Sequence, residues 1–388
     1  MITIAQIALP SSPAPSRAMK EFTRVLEQSA LLVEGDTESV STTEIRTLRY
    51  RNQFSWRSIC LLAIDTGLGQ RMESNYGLPL LAGSADGVAR WDKDSDQPVS
   101  ITPEQPWPGT VIGAAELSIP LKENLDSAYV FLHALPGHED ALAHLWETAQ
   151  NIFRTEKRSK ISSYVDHKFG TDHRAPSSDV SLASTTISDF LISAGFELTQ
   201  TEICSRLSLP ADETVLAPLR EAAIAKSGDY RLLSWTGGTP EEYLEDMVEM
   251  MTAFEMDMPV AGIVEAEANY SVERLIKSEQ MMATLGTTSI ITAAQHIPTG
   301  HLAGYTQLDF EPGKHSVIQE DTLVLKEHRG NRLGYLIKID NLERLREQAP
   351  ERTFIQTWNA GENEWMWGIN EQMGFRPHTA VGLWQRKI

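Results

Sequence analysis

Residues 317–338 read VIQEDTLVLKEHRGNRLGYLIK, and this stretch predicts a β-strand that turns directly into a helix. Its first part carries strand formers, and its second part repeats apolar residues at helical spacing. The strand residues are Val317, Leu323, Val324 and Leu325, and the helix residues are Leu333, Tyr335, Leu336 and Ile339. We therefore expect the functional groups at the junction between the two elements.

The junction itself, HRGNRLG at residues 328–334, combines two arginines with two glycines. Free backbone N–H groups and the positive end of the helix dipole meet at a helix N-terminus, and both attract anions. The turn therefore predicts a diphosphate site. The alternative is an ordinary strand-to-helix turn with basic residues on the surface.

This turn resembles the acyl-CoA signature of the GNAT acetyltransferases, Arg/Gln-x-x-Gly-x-Gly/Ala, with Arg329 and Gly334 at its ends. The family usually has a glycine where this chain has Arg332. The turn then has to form with a side chain at that position, and only Gly330 and Gly334 relax it.

The residues after the turn strengthen the resemblance. They predict a strand at 353–358, a polar turn at 359–363, a helix at 364–373 and a closing strand at 375–385. This order is similar to the C-terminal half of a GNAT domain. Some members of the family carry a similar HRG-x-x-LG, followed by TWNA-x-x-N and NE-x-x-GF, all of which occur here between His328 and Phe375.

Composition is typical of a protein with two ordinary domains. The chain has 388 residues, 41% of them apolar, and a formal net charge of −19. This charge argues against nucleic acid or an anionic membrane surface as a partner and favours a cationic small molecule. Cys60 and Cys204 are too few for a disulfide framework or a metal site. No apolar run reaches membrane-spanning length and the N-terminus lacks signal-peptide features, so we expect a cytoplasmic protein.

The first half predicts the same order of elements as the second, which indicates an internal duplication. VIGAAELSI at 111–119 aligns with LAGYTQLDF at 302–310, and AGFEL near Phe196 aligns with MGFRP near Phe375. We expect domains at 1–210 and 211–388, in a layout that resembles mycothiol synthase and related double-domain acetyltransferases. The expected fold class is α/β, with layered α+β character. The resemblance implies two tandem GNAT-like domains, each with a mixed, mostly antiparallel sheet flanked by helices. Residues 74–107 and the stretch before Ser184 are expected to be loops.

The two halves differ where the anion would bind. The first half has LPGHEDALAHLW at 135–146, with one glycine, no arginine, and Glu139 and Asp140 at the helix start. Carboxylates there satisfy the helix dipole and repel a diphosphate. The N-terminal domain is therefore predicted to be degenerate, and the C-terminal domain to carry the acetyl-CoA site.

The resemblance implies transfer of an acetyl group from acetyl-CoA to a primary amine by direct attack in a ternary complex, without a metal. The protein must accept a proton and stabilise an oxyanion. The cofactor-binding residues that the resemblance implies are Leu323, Val324, Leu325, Arg329, Gly330, Asn331, Arg332, Leu333, Gly334 and Tyr335, together with Asn359 and Asn363 in the later turn. The two asparagines have an alternative role as turn and N-cap residues.

Three residues are candidates for proton transfer. Glu320 lies upstream on the same strand, on the face of Thr322 and Val324 if the strand is regular, and Asp321 replaces it if a bulge shifts the phase. Many GNAT enzymes use a tyrosine on the last helix to protonate the leaving thiolate. Asn370 matches that position, and it can donate a hydrogen bond but cannot give up a proton.

Two other classes of function remain open from the sequence. A non-catalytic acyl-CoA-binding or sensor protein would keep the diphosphate turn without turnover. A nucleotide-hydrolysing P-loop enzyme is disfavoured because G-x-x-x-x-G-K-[ST] is absent. The expected partner is a small-molecule amine acceptor of cationic character, and the protein is expected to be a monomer or homodimer.

Overall fold

The computed structural model describes the chain except residues 54, 69–71, 83–87, 93–96, 103–106, 108, 177, 258–269 and 361–363. The described chain divides into two compact units. Unit 1 comprises residues 1–201 and 379–388, and unit 2 comprises residues 202–378. The boundary between the units falls at residue 201 rather than at the expected residue 210. The last ten residues of the chain belong to unit 1.

The helices and strands follow the sequence-based expectation over most of both units. Unit 1 contains β1 (Thr3–Ile7), α1 (Arg17–Val33), α2 (Thr43–Arg51), β2 (Trp56–Ile64), β3 (Leu80–Leu81), β4 (Val88–Asp92), β5 (Gln97–Thr102), β6 (Val111–Pro120), β7 (Ser127–Ala134), α3 (Asp140–Thr155), β8 (Lys160–His167), β9 (Phe169–Arg174), β10 (Ser181–Leu182), α4 (Thr186–Ser193) and the start of β11 (Glu197–Ser208). Unit 2 contains the rest of β11, then α5 (Glu213–Ile224), β12 (Tyr230–Thr236), α6 (Leu244–Asp257), α7 (Val272–Thr284), β13 (Thr288–His296), β14 (Leu302–Phe310), β15 (Ser316–Val324), α8 (Leu333–Gln348), β16 (Phe354–Ala360), α9 (Glu364–Gln372) and the start of β17 (Arg376–Lys387).

Unit 1 is a sheet with helices on both faces. Its strand order is β17-β8-β7-β6-β2-β1-β3. Alternate residues of β2 enter different cores, as expected for a strand buried on both sides. Leu61 packs with α3 and α4, whereas Leu62 packs with α1.

Unit 2 repeats this design. Its strand order is β12-β13-β14-β15-β16-β11, with only the β15–β16 pair parallel. Ile291 and Leu323 pack on one face with α6 and α7, and Ile290 and Val317 pack on the other face with α8. The mixed, mostly antiparallel sheet and its flanking helices confirm the predicted fold class.

An equivalent glycine in each unit supports the duplication. Gly113 in β6 and Gly304 in β14 both lie beside a one-residue irregularity in the pairing with the preceding sheet neighbour. A Cβ at Gly113 would lie 2.9 Å from the carbonyl oxygen of His133, and one at Gly304 would lie 2.6 Å from that of Leu323. Glycine is required at both positions because the next strand's backbone approaches so closely.

Two expectations about loops were wrong, and one helix was not predicted. Residues 74–107 contain β3, β4 and β5, and the expected loop before Ser184 contains β9 and β10. Helix α5 was not predicted, since Pro218 lies in its interior, where proline normally breaks a helix. No helix in the described part of the chain is long and apolar enough to cross a membrane.

Candidate active site

The central feature of unit 2 is a fork between β15 and β16. These parallel strands pair only from Ser316 to Ile318 on β15, opposite Phe354 to Gln356 on β16. At the point of divergence the Thr357 hydroxyl donates a hydrogen bond to the carbonyl of Gln319 over 3.3 Å. Within the described residues, no strand pairs with the β16 side of residues 319–324. Backbone groups along this edge are available to an extended ligand.

The predicted anion turn connects the open end of β15 to α8. Gly330 has φ of 86°, and Arg332 has φ of 55° as the residue that begins the helix. Arg332 therefore adopts the left-handed conformation itself, at the place where the family signature has glycine. The start of α8 has no side-chain cap and no acidic residue in its first turn. The Arg329 Nε donates to the carbonyl of Val324 over 3.0 Å, which orients that side chain beside the turn.

Tyr230, at the start of β12, contacts two side chains of the turn. Its hydroxyl lies 3.0 Å from Nδ1 of His328, and Asn331 Nδ2 donates to the same hydroxyl over 3.2 Å. Asn331 also donates to the carbonyl of His328. Burial and the neighbouring His296 lower the pKa of His328. The Asn331 side chain thus stabilises the turn rather than pointing to a ligand, so only its backbone is available for an anion.

The other predicted cofactor-binding side chains on these elements are used in packing. Leu323 is buried against α6 and α7. Leu333, the first residue of α8, is buried against the sheet. The Tyr335 hydroxyl donates to Gln372 of α9 over 3.0 Å. Gly334 lies against α9, since a Cβ there would lie 3.4 Å from the Ile369 side chain.

A bulge decides the phase of the two candidate bases. Thr322 pairs with Thr306 and Gln319 pairs with Leu308, so Glu320 and Asp321 together lie opposite one residue of β14. The regular strand that would place Glu320 on the face of Thr322 is therefore not formed. The Asp321 carboxylate accepts a hydrogen bond from the Tyr305 hydroxyl over 3.0 Å, and Glu320 is exposed.

The environment of Asp321 raises the pKa of its carboxyl above the usual range. Burial and the charge of Asp309 raise its pKa, and the hydrogen bond from Tyr305 partly opposes this rise. The Asp309 pKa is also raised by burial, although Gln307 and Ser289 donate hydrogen bonds to its carboxylate. The face of the sheet covered by α6 and α7 thus carries carboxylates near the bulge.

Helix α9 contacts the end of β16. Asn370 is 3% exposed, and its Nδ2 donates to Oδ1 of Asn359 over 2.9 Å. Both side chains therefore join β16 to α9. Asn363, also predicted to bind the cofactor, lies outside the described residues.

Sequence reasoning missed Tyr230, Tyr305 and Lys338. Lys338 is 2% exposed on α8. Its sequence signal was present, because a lysine with leucines four and seven residues later occupies an apolar helix face. The two tyrosines gave no local signal, since their partners lie far away in the chain.

Unit 1 has a similar pair of parallel strands, but the surrounding residues differ. Strands β7 and β8 pair in parallel from Ser127 to Tyr129 on β7. This short parallel pairing corresponds to that of β15 with β16 in unit 2. The β6–β7 register contains no bulge. At the start of α3 the Glu139 carboxylate accepts a hydrogen bond from the backbone N–H of Gly137, which lowers the Glu139 pKa. An amide of the turn before α3 is thus already bonded to a carboxylate.

No group of three or more His, Cys, Asp or Glu residues in the described ranges has metal-binding geometry. No protein-family model matches the sequence, and no curated protein matches it. Solved structures do match.

A tandem GNAT protein from the clavulanic acid biosynthesis pathway superposes with a TM-score of 0.69 at 20% identity, covering 100% of this chain and 98% of that one. A GCN5-related N-acetyltransferase from Sphaerobacter thermophilus gives 0.58 at 11% identity, covering 100% and 95%. A glucosamine N-acetyltransferase region of a fungal multi-domain GH3 β-N-acetylglucosaminidase gives 0.53 at 11% identity, covering 99% of this chain and 38% of that one. The chain therefore has the tandem GNAT fold.

Proposed function

We propose that the protein is an acetyl-CoA-dependent N-acetyltransferase that acetylates a primary amine of a small molecule, and that unit 2 carries the site. The observation that carries this proposal is the fork between β15 and β16, which ends at the arginine- and glycine-containing turn of α8. A fork offers backbone hydrogen-bonding groups to an extended chain, and the turn offers N–H groups and positive charge to a diphosphate. Acetyl-CoA has both parts.

Donor binding in this proposal uses mainly backbone groups. Arg329 and Arg332 supply positive charge, and the uncapped N–H groups at the start of α8 bind phosphate oxygens. The pantetheine arm lies along residues 319–324, where the side chains of Leu323, Val324 and Leu325 stay in the core. The Leu325 N–H already bonds to the carbonyl of Ala303 and the Val324 carbonyl to Arg329, so the arm uses the remaining backbone groups of this edge. Such positioning alone is worth about 7 kcal/mol or more of a bimolecular barrier.

The acceptor amine approaches from the face that α6 and α7 cover. Asp321 takes a proton from the ammonium group, directly or through a water, and the neutral nitrogen attacks the thioester carbonyl. A backbone N–H of β15 stabilises the oxyanion of the tetrahedral intermediate. The C–S bond then breaks, and CoA leaves as a thiolate that must be protonated. Glu320 is the second candidate for the base, and Asn370 is placed on α9 to donate a hydrogen bond but no proton.

The acidic surroundings favour a cationic acceptor. Asp309, Glu320 and Asp321 cluster near the bulge of β15. A substrate ammonium group is attracted to such a surface, in agreement with the overall charge of −19.

The direct test incubates the protein with acetyl-CoA and a panel of amines, and follows release of the CoA thiol together with the mass of the amine. Amine-dependent thiol release with one acetyl group gained by the amine is the expected result. Tight binding of acetyl-CoA without turnover for any amine class would instead favour the acyl-CoA-binding or sensor protein.

We also predict one strong acetyl-CoA site per chain. Glu139 already occupies the backbone N–H of Gly137 at the start of α3, and Asp140 adds negative charge in its first turn. Calorimetry at saturation should therefore give a stoichiometry near one. Two sites of equal affinity would contradict the assignment of the site to unit 2 alone.

A further inference from the structure

Lys338 is a buried cation without a carboxylate partner among the described residues. It lies on α8 and is 2% exposed. Its Nζ is 3.4 Å from the hydroxyl of Thr322 on β15 and 5.8 Å from the ring centre of Phe375. Among the described residues, no carboxylate forms an ion pair with it or shifts its pKa.

This arrangement is costly for a residue with only a structural role. An ammonium group has three donors, and the long contact to Thr322 and the Phe375 ring replace only part of the hydration that Lys338 loses on burial. The groups that face Lys338 and its neighbour Thr322 are uncharged: the hydroxyl of Thr306 on β14, the amide of Gln319 on β15, and Phe375, which follows α9. Burial lowers the pKa of Lys338 to about 7. The side chain can therefore both hold and release a proton near neutral pH.

Its position relates Lys338 to the fork. Thr322 belongs to the part of β15 that has separated from β16, whereas Phe375 packs with Val317 and Ile355 of the paired part, so Lys338 lies close to the point where the strands separate. On α9 the Oδ1 of Asn370 is buried and accepts no hydrogen bond from the described residues. A donor with spare hydrogens and an acceptor with a spare lone pair thus lie on neighbouring elements, and neither bonds to the other.

We propose that Lys338 is the general acid that protonates the CoA sulfur as it leaves. This inference rests on the proposed acetyl transfer. When the C–S bond breaks, its electron pair stays on sulfur, and the sulfur takes a proton from the Lys338 ammonium group. The products are the free thiol of CoA, the acetylated amine and a neutral lysine, which regains a proton from solvent.

Other acids near the fork are less suited to this step. Asn370 cannot release a proton at neutral pH. The Tyr335 hydroxyl is bonded to Gln372, and His328 is bonded to Tyr230 at the turn. Burial raises the pKa of Tyr335, which makes that hydroxyl a weaker acid.

The experiment compares Lys338→Met and Lys338→Gln with Lys226→Met, an exposed lysine of unit 2. Methionine keeps the length of the side chain without the charge, and glutamine keeps a hydrogen-bond donor that cannot release a proton. Both variants should bind acetyl-CoA with unchanged affinity in calorimetry and should unfold at no lower temperature, since a buried unpaired charge is removed. Their kcat should fall about a hundredfold, the usual contribution of one positioned acid. Lys226→Met should behave as the parent protein.

The pH profile separates an acid from a structural residue. In the parent protein kcat should fall as pH rises through the Lys338 pKa, because the protonated form is the active one, and this alkaline limb should disappear in both variants. Full turnover of Lys338→Gln, or an unchanged alkaline limb, would overturn the role of Lys338 alone. If the parent protein binds no acetyl-CoA or acetylates no amine, the proposed function fails and this inference with it.

Discussion

Asp321→Asn should lower acetyl transfer about a hundredfold or more while leaving the affinity for acetyl-CoA unchanged. Asp321 lies beside Glu320 at the bulge opposite β14 and accepts a hydrogen bond from the Tyr305 hydroxyl, on the face covered by α6 and α7. Asparagine has nearly the same shape and still accepts that hydrogen bond, so fold and donor binding should persist. The measurement is kcat with a good amine acceptor beside a calorimetric Kd for acetyl-CoA.

The pH dependence gives the same variant a second readout. A base acts when deprotonated, and burial raises the pKa of Asp321, so the acidic limb of the parent enzyme should lie above the range of an ordinary aspartate. This limb should be lost in Asp321→Asn. Tyr305→Phe removes a hydrogen bond that lowers the pKa, so it should move the limb to still higher pH.

Glu320→Gln is the matched control, because it removes the neighbouring carboxylate at the same bulge. A smaller loss of turnover is expected there than in Asp321→Asn. The reverse order would make Glu320 the base. Full turnover in both variants would leave positioning and solvent to remove the proton.

Arg329→Glu should weaken acetyl-CoA binding about a hundredfold or more, since this change reverses a charge beside the diphosphate and each tenfold loss requires only about 1.4 kcal/mol. The variant also removes the hydrogen bond from Nε to the Val324 carbonyl. It places a carboxylate beside the start of α8, as Glu139 does at the start of α3 in unit 1. A direct binding titration of acetyl-CoA at low salt measures the effect, because surface charges act most strongly there.

Arg346→Glu is the control for this charge reversal. Arg346 lies in the last turn of the same helix, about 20 Å along its axis from the anion turn. It changes the net charge of the chain by the same amount, and its effect on acetyl-CoA affinity should be small. Equal losses in the two variants would indicate a general effect of charge, and unchanged affinity in Arg329→Glu would remove the anion turn from the donor site.

Much of the fold could be predicted because its signals are local. The change from strand to helical periodicity at residues 317–338 is readable within one stretch, and the same order of elements recurs in the first half. Helix α5 was missed because it contains Pro218, and proline in a sequence normally argues against a helix. The short strands β3 and β9 were missed because their pairing partners, rather than a long apolar pattern, define them.

By itself, the sequence determined the tandem order of elements, the glycine and arginine turn at the start of α8, and the contrast with Glu139 at the start of α3. These features depend only on residues that are close together in the sequence. Only the tertiary structure decided that β15 and β16 separate after Ile318, that a bulge places Glu320 beside Asp321 opposite one residue of β14, that Asp321 bonds to Tyr305, and that Lys338 is buried beside Thr322. Those outcomes depend on register between strands distant in sequence and on helix packing across the sheet, because a shift of one residue reverses the face of every side chain on a strand.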